Sequence, residues 1–111
     1  MSTMFVIASD GLGRGDDGLG RRLMVKFVQQ LQVMNPHPSA VAFYNAGVTL
    51  LVPSSPVADA LKALEAEGVD LMACGTCLDH YRIRNVIAAG RVSDMREIVT
   101  TMTASENLVV V

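Results

Sequence analysis

The sequence predicts an α/β sandwich with helices on both faces of a mainly parallel sheet. Three observations carry this. Short apolar runs recur without the polar alternation of a half-exposed strand, as strands buried on both faces require. They alternate with segments of helical period in the order β-α-β-α-β-α-β-α-β. The chain of 111 residues, half of them apolar, suits one core and one domain over residues 1–111.

Met4-Phe5-Val6-Ile7-Ala8 is the first strand, followed by a glycine-rich loop from Ser9 to Gly18. A long helix comes next, with Leu19, Leu23, Phe27 and Leu31 every four residues beside Met24, Val28 and Met34. Asp16 and Asp17 oppose its dipole favourably, and Asn35-Pro36-His37-Pro38 ends it. Ala40 to Tyr44 is the second strand, closed by the turn Asn45-Ala46-Gly47. Val48 to Val52 reads as a short helical turn. Ser55 and Pro56 suit the cap and first position of a helix from Val57 to Glu67, with Leu61 and Leu64 inward and Gly68 as its stop. Val69 to Ala73 is the third strand. The helix expected from Leu78 to Ala89 is interrupted at Arg82-Ile83-Arg84. Gly90-Arg91-Val92 is a short fourth strand. Ser93 can cap a helix from Asp94 to Thr103 whose expected buried face is Met95, Ile98, Val99 and Met102. Asn107 to Val111 is the fifth strand.

Composition excludes several classes. Nine basic residues face eleven acidic ones, with a net charge of −2 and no Lys/Arg run, so no nucleic-acid partner is expected. No apolar run approaches the roughly 18 residues of a membrane span. Met4 to Ala8 is too short and uncharged for a secretory signal, so the expected location is the cytoplasm, with reduced cysteines. No cofactor is expected.

The chemistry centres on Cys74-Gly75-Thr76-Cys77, a C-x-x-C pair at a strand exit. Two small hydrophobes in a turn are the bland reading. The functional reading needs an accessible, stabilised thiolate. Thr76 can act as N-cap with Asp79 three residues on, which puts Cys77 first in the helix, where the dipole lowers a thiol's pKa. Cys74 lies nearer the floor of the inferred cleft; spacing does not decide which thiol attacks. Two thiolates are half of a zinc site, with His80 as a third ligand or a second chain completing it, but no second C-x-x-C exists and no metal is expected.

Ligands bind beyond the carboxyl ends of parallel strands, so Ser9–Gly18, Asn45–Gly47 and Cys74–Cys77 are expected to converge. Gly13-Arg14-Gly15-Asp16-Asp17-Gly18 matches G-x-G-x-x-G, yet two carboxylates stand where a pyrophosphate would sit, and no acid ends the second strand to hold a ribose. The bland reading is a flexible loop with Asp N-caps; the functional one is a mobile rim over the cysteines, with Asp10, Gly11, Arg14, Gly15 and Asp16 touching substrate or partner. Asn45 and Gly47 wall the site, with Gly75, Thr76 and His80 completing it. His80 and Tyr81 share a helical face with Cys77, and His80 can stabilise a thiolate or shuttle a proton. Each also reads as an ordinary surface or turn residue. Arg82, Arg84 and Arg91 are candidates for positive potential near the thiols, or solvated surface charges.

The chain resembles the DsrE/DsrF-like sulfur-relay family, and within it the carboxyl-terminal domain of YedF-type selenium-metabolism proteins. The resemblance rests on Ser9-Asp10-Gly11-Leu12-Gly13-Arg14-Gly15-Asp16-Asp17 with Leu19-Gly20-Arg21, on Tyr44-Asn45-Ala46-Gly47-Val48, and on Gly68-Val69 through Ala73-Cys74-Gly75-Thr76-Cys77-Leu78-Asp79. It implies a three-layer α/β/α sandwich with a five-stranded sheet. It also implies a sulfurtransferase-like carrier that holds persulfide sulfur on Cys74, with Cys77 as resolving or auxiliary thiol, and a homo-oligomer. The partners it implies are sulfur donor and acceptor proteins, among them a TusA-like one supplied separately, because the TusA-like domain of YedF-type proteins is missing from this sequence. Arg82 stands where many relatives have glycine.

Two other functions stay open on the residues. A thiol–disulfide oxidoreductase would use both cysteines. A binding module would hold a metal on the thiols or a small ligand under the glycine loop.

Overall fold

A computed structural model describes residues 2–111. Five strands, β1 (Thr3–Ile7), β2 (Ala40–Phe43), β3 (Asp70–Cys74), β4 (Arg91–Ser93) and β5 (Asn107–Val110), form one sheet in the order β4-β3-β2-β1-β5. Every neighbouring pair is parallel. The helices are α1 (Asp17–Val33), α2 (Ala58–Ala66), α3 (Gly75–His80) and α4 (Met95–Ala104), with a 3-10 helix over Asn45–Leu51. The short helical turn expected at 48–52 is therefore present and starts earlier.

Parallel register aligns Ile7, Phe43, Ala73 and Val92, so the carboxyl ends of four strands finish together. Two cores flank the sheet. On one face α1, α2 and the 3-10 helix bury Met24, Val28, Leu31, Leu51, Leu61 and Leu64 against Ile7, Val41, Phe43 and Leu71. On the other, Ile98 of α4 packs with Met4, Val6, Ala40, Ala42, Met72 and Cys74. The second core is much the smaller, because one helix supplies it.

Several local expectations change. The inward face of α1 is Gly20, Met24, Val28 and Leu31, while Leu19 and Leu23 are 46% and 39% exposed. Gly20 decides this rotation. It packs against the loop backbone at Leu12, where an added Cβ would lie 3.1 Å from the Leu12 carbonyl oxygen. Asp16 caps the helix, accepting from the Leu19 N–H at 2.7 Å. Ser55 does not cap α2. Its hydroxyl accepts from the Val57 N–H in a local turn, and the helix begins at Ala58. Gly68 stops α2 as expected, at φ 92°.

The helix expected over 78–89 is present only to His80, the end of α3, and the break expected at Arg82-Ile83-Arg84 is borne out, with no helix resuming before β4. The chain leaves α3 at Arg82, whose φ of 58° is left-handed, and runs through turns to β4. Asp94, not Ser93, caps α4, accepting from the Glu97 N–H at 2.8 Å. Ser93 is the last residue of β4 and its hydroxyl binds the Glu97 carboxylate. Of the expected buried face of α4 only Ile98 is buried; Met95 and Val99 are exposed.

Candidate functional site

β3 ends in Cys74, and α3 begins on the next residue. Cys74 is itself the N-cap, with extended dihedrals (φ −63°, ψ 118°) and no side-chain capping bond. Thr76 is therefore inside the helix rather than its cap, and Asp79 pairs with Arg84 instead of closing a capping box. This register makes Cys77 the third helical residue. Cys74 points into the core under α4 and is 4% exposed. Cys77 is half-buried, packed against both cores, and lines a cavity of about 430 Å3.

That cavity is lined by Tyr44, Asn45, Thr76, Cys77, His80, Tyr81 and Met95. Asn45 follows the β2 exit at φ 50°, a left-handed conformation that asparagine adopts more readily than most residues. There its backbone N–H donates to the Cys77 sulfur at 3.0 Å. The Tyr81 hydroxyl donates to Asn45 Oδ1 at 3.4 Å, and the Tyr81 ring meets His80 edge-on at 5.0 Å between centroids. Gly47 anchors the same turn. A Cβ there would lie 2.1 Å from the Ile7 carbonyl oxygen, so only glycine lets the turn sit on the end of β1.

Both cysteines are free thiols. Burial holds the Cys77 thiol above its ordinary pKa; the Asn45 N–H pulls the other way, and the adjoining Cys74 thiol adds to the rise. The helix start was expected to lower it. Desolvation wins because Cys77 sits between two cores rather than at an open helix terminus. Two of the three candidate arginines are engaged by carboxylates rather than turned to the thiols. Arg84 forks onto Asp79, and Arg91 binds both Asp70 and Glu97.

The three loops expected to converge do so only in part. Asn45, Thr76, Cys77 and His80 come together; Asp10, Gly11 and Asp16 line a separate cavity with Asp17 and Arg21, and Arg14 and Gly15 are exposed. Gly75 lines a groove beside β4 and α4. Sequence reasoning left out Tyr44 and Met95. Tyr44 stands at the strand exit beside Asn45, which was a usable signal. Met95 had none, since helical period assigned it to the core. Among the described residues no three His, Cys, Asp or Glu side chains come together as metal ligands. No helix among them is long and apolar enough to cross a membrane.

A family model described as DsrE, the DsrE/DsrF-like family, matches residues 2–111. No curated protein matches the chain. Solved structures do. The YchN protein from E. coli superposes with a TM-score of 0.68 at 15% identity, covering 100% of both chains. MTH1491 of Methanobacterium thermoautotrophicum, titled a protein of unknown function, gives 0.71 at 21% identity over 99% of this chain and 98% of that one. BT1422 of Bacteroides thetaiotaomicron, titled likewise, gives 0.66 at 11% identity over 99% and 95%. These identities speak for the fold alone.

Proposed function

Because the chain belongs to the DsrE/DsrF-like family, which is linked to sulfur relay in general, we propose that it is a cytoplasmic persulfide carrier that takes sulfane sulfur from a donor and yields it to a partner thiol. The observation that carries this is the half-buried Cys77 sulfur, open to a cavity and held by the Asn45 N–H at 3.0 Å. The thiolate attacks the outer sulfur of a donor persulfide, the donor leaves as its thiolate, and Cys77 keeps the sulfur. A partner thiolate then takes that outer sulfur and Cys77 is restored. The steps are displacements at sulfur, governed by thiolate fraction and access. A thiol held above its ordinary pKa attacks slowly at neutral pH, which suits a carrier loaded by a docked partner better than a general oxidoreductase.

The resemblance gives the carrying role to Cys74. At 4% exposure Cys74 has little access to a donor, so our reading takes Cys77 as the thiol that meets the donor. The likeness of the G-R-G-D-D and C-G-T-C-L-D stretches to YedF-type chains supports a TusA-like protein as one partner and selenium as a second cargo. Asp10, Gly11, Arg14, Gly15 and Asp16, outside the cysteine cavity, then serve as partner contacts. The exposed apolar residues of α4 and β5 support a homo-oligomer.

The test loads reduced Cys74→Ser protein, in which no intrachain disulfide can compete, with glutathione persulfide, and takes intact mass with and without reductant. A reducible gain of one sulfur, transferable to a TusA-like protein, is expected. No gain would sink the reading. A gain confined to Cys77→Ser protein would move the sulfur to Cys74.

A further inference from the structure

We infer that the pair has a second activity: when no acceptor comes, Cys74 resolves a persulfide on Cys77, releasing the sulfur as sulfide. The inference rests on the carrier reading and deepens it.

Three features of the geometry support it. The pair is asymmetric, with Cys77 facing the cavity and Cys74 in the core cluster against which Cys77 packs. Small thiols and partner proteins therefore meet Cys77, while the thiol placed to meet Cys74 is Cys77. The spacing also fits. The N-cap and third residue of a helix lie about 5 Å apart at Cα by helix geometry, inside the range of about 4.4–6.8 Å that a disulfide spans. Finally, the Asn45 N–H aims at the Cys77 sulfur itself, the atom attacked in resolution, and holds it beside Cys74. The Cys74 thiol also adds to the rise of the Cys77 pKa, as a neighbouring hydrogen-bonding side chain does.

The polarity follows from burial: the second cysteine of the motif attacks and the first resolves. In the step, the Cys74 sulfur attacks the Cys77 sulfur of Cys77–S–SH. The bond between that sulfur and the outer one breaks, and a Cys74–Cys77 disulfide forms. The outer sulfur leaves with the electron pair as hydrosulfide and takes up the proton that Cys74 gives up. The sulfane sulfur is reduced by two electrons, and each cysteine sulfur supplies one. No external oxidant is needed. A dithiol reductant restores the pair for another cycle.

The buried position of Cys74 makes this slower than hand-over to a docked acceptor, so the pair keeps sulfur when a partner is present and vents it when none is. Carriage and release are then two exits from one intermediate.

The experiment loads the reduced chain with glutathione persulfide, removes excess donor by gel filtration, and follows trapped sulfide and intact mass without acceptor or reductant. The wild-type chain is expected to release close to one sulfide per bound sulfur and to end two hydrogens lighter than the reduced chain. Cys74→Ser and Cys74→Ala are expected to keep the added sulfur and release sulfide at least about tenfold more slowly, as loss of the resolving thiolate requires. Two substitutions are used because a serine hydroxyl in the Cys74 core position carries its own cost. If both release sulfide at the wild-type rate, or the wild-type chain holds its persulfide as long as they do, the inference is overturned while carriage stands. If the Cys74 variants take up no sulfur, carriage itself fails, and the inference with it.

Discussion

Asn45 has two separable jobs, and they lie on different atoms. Its backbone N–H holds the Cys77 sulfur, and its side chain takes the Tyr81 hydroxyl. Asn45→Gly keeps the N–H and suits φ 50°, so Cys77 alkylation is expected to stay within about twofold of wild type. Asn45→Val forces a β-branched residue into that conformation, at a cost of about 1–3 kcal/mol, and should change Cys77 reactivity as the turn shifts. Equal behaviour of the two variants would remove the N–H from the account. Two residues on, Gly47→Ala meets the Ile7 carbonyl at 2.1 Å. Backbone cannot swing away as a side-chain end can, so a loss of about 3 kcal/mol or more is expected in urea melts. Cys77 adds a pH signature. Its pKa is raised in the fold, chiefly by burial. Its contribution to stability is therefore full below the unfolded pKa and lost as pH climbs through the folded one. Iodoacetamide labelling of Cys77 should show a midpoint above that of the urea-unfolded chain, and Cys77→Ser should flatten the alkaline loss of stability. A midpoint at or below the unfolded one would put the helix terminus, not burial, in control.

At the scale of elements, β4 is three residues long and exposed over two of them, so it needs tying down. Arg91 does this. Its guanidinium forks onto Asp70 at the start of β3 and reaches Glu97 on α4, at 2.8–2.9 Å. The Glu97 carboxyl is held below its ordinary pKa, by Arg91 first and the Ser93 hydroxyl second. That contribution is present above the unfolded pKa and is lost as pH falls through the folded one. These groups are each more than a third exposed, so Arg91→Met is expected to cost only about 0.5–1 kcal/mol. The Glu97 share of that difference should shrink as pH falls through the folded pKa of Glu97; an undiminished difference in acid would mean that the alkyl stem, not the charge, secures β4. None of this network was legible in the sequence, where Arg91 looked like a surface charge, because its partners are 21 positions before it and six after. The strands and α2 were legible because they carry their signals locally, in continuous apolar runs and a terminal glycine. The α1 face was misread by period alone, because the close approach of Gly20 to Leu12 turns the helix. The site was half legible: C-x-x-C and the Asn45 turn sit at strand exits, but nothing local says that Cys74 is the buried one.

At the scale of the whole molecule, the two faces of the sheet are unequally covered, and this bears on assembly. The α1–α2 face is the better covered, with Val109 beside Phe5 at its edge still 40% exposed. On the other, α4 lies over the middle strands through Ile98, while register puts Leu108 beside Met4 and Val110 beside Val6 on the same side. Leu108 and Val110 are 43% and 56% exposed, and Met95 and Val99 on α4 are exposed as well. Helical period read those two as core, and that reading is physically sound if the core is completed between chains. β5 is also an outer strand of the sheet among the described residues, a position that soluble chains cover or protect. In the proposed homo-oligomer a second copy covers both with one self-complementary contact, the commonest route to a closed assembly, and reaches the site through Met95, which lines the cysteine cavity. Light scattering on the purified protein is expected to give a mass at least twice that of the chain. Val99→Asp with Val110→Asp should yield a folded monomer, since neither side chain is buried within the chain and two new like charges oppose each other across the contact. Loading of Cys77 with persulfide sulfur should survive in that monomer, with its rate altered where Met95 loses its cover. A monomeric wild-type chain at tens of micromolar, or an oligomer indifferent to both aspartates, would place the assembly surface elsewhere and leave the apolar face of α4 and β5 to a different protein.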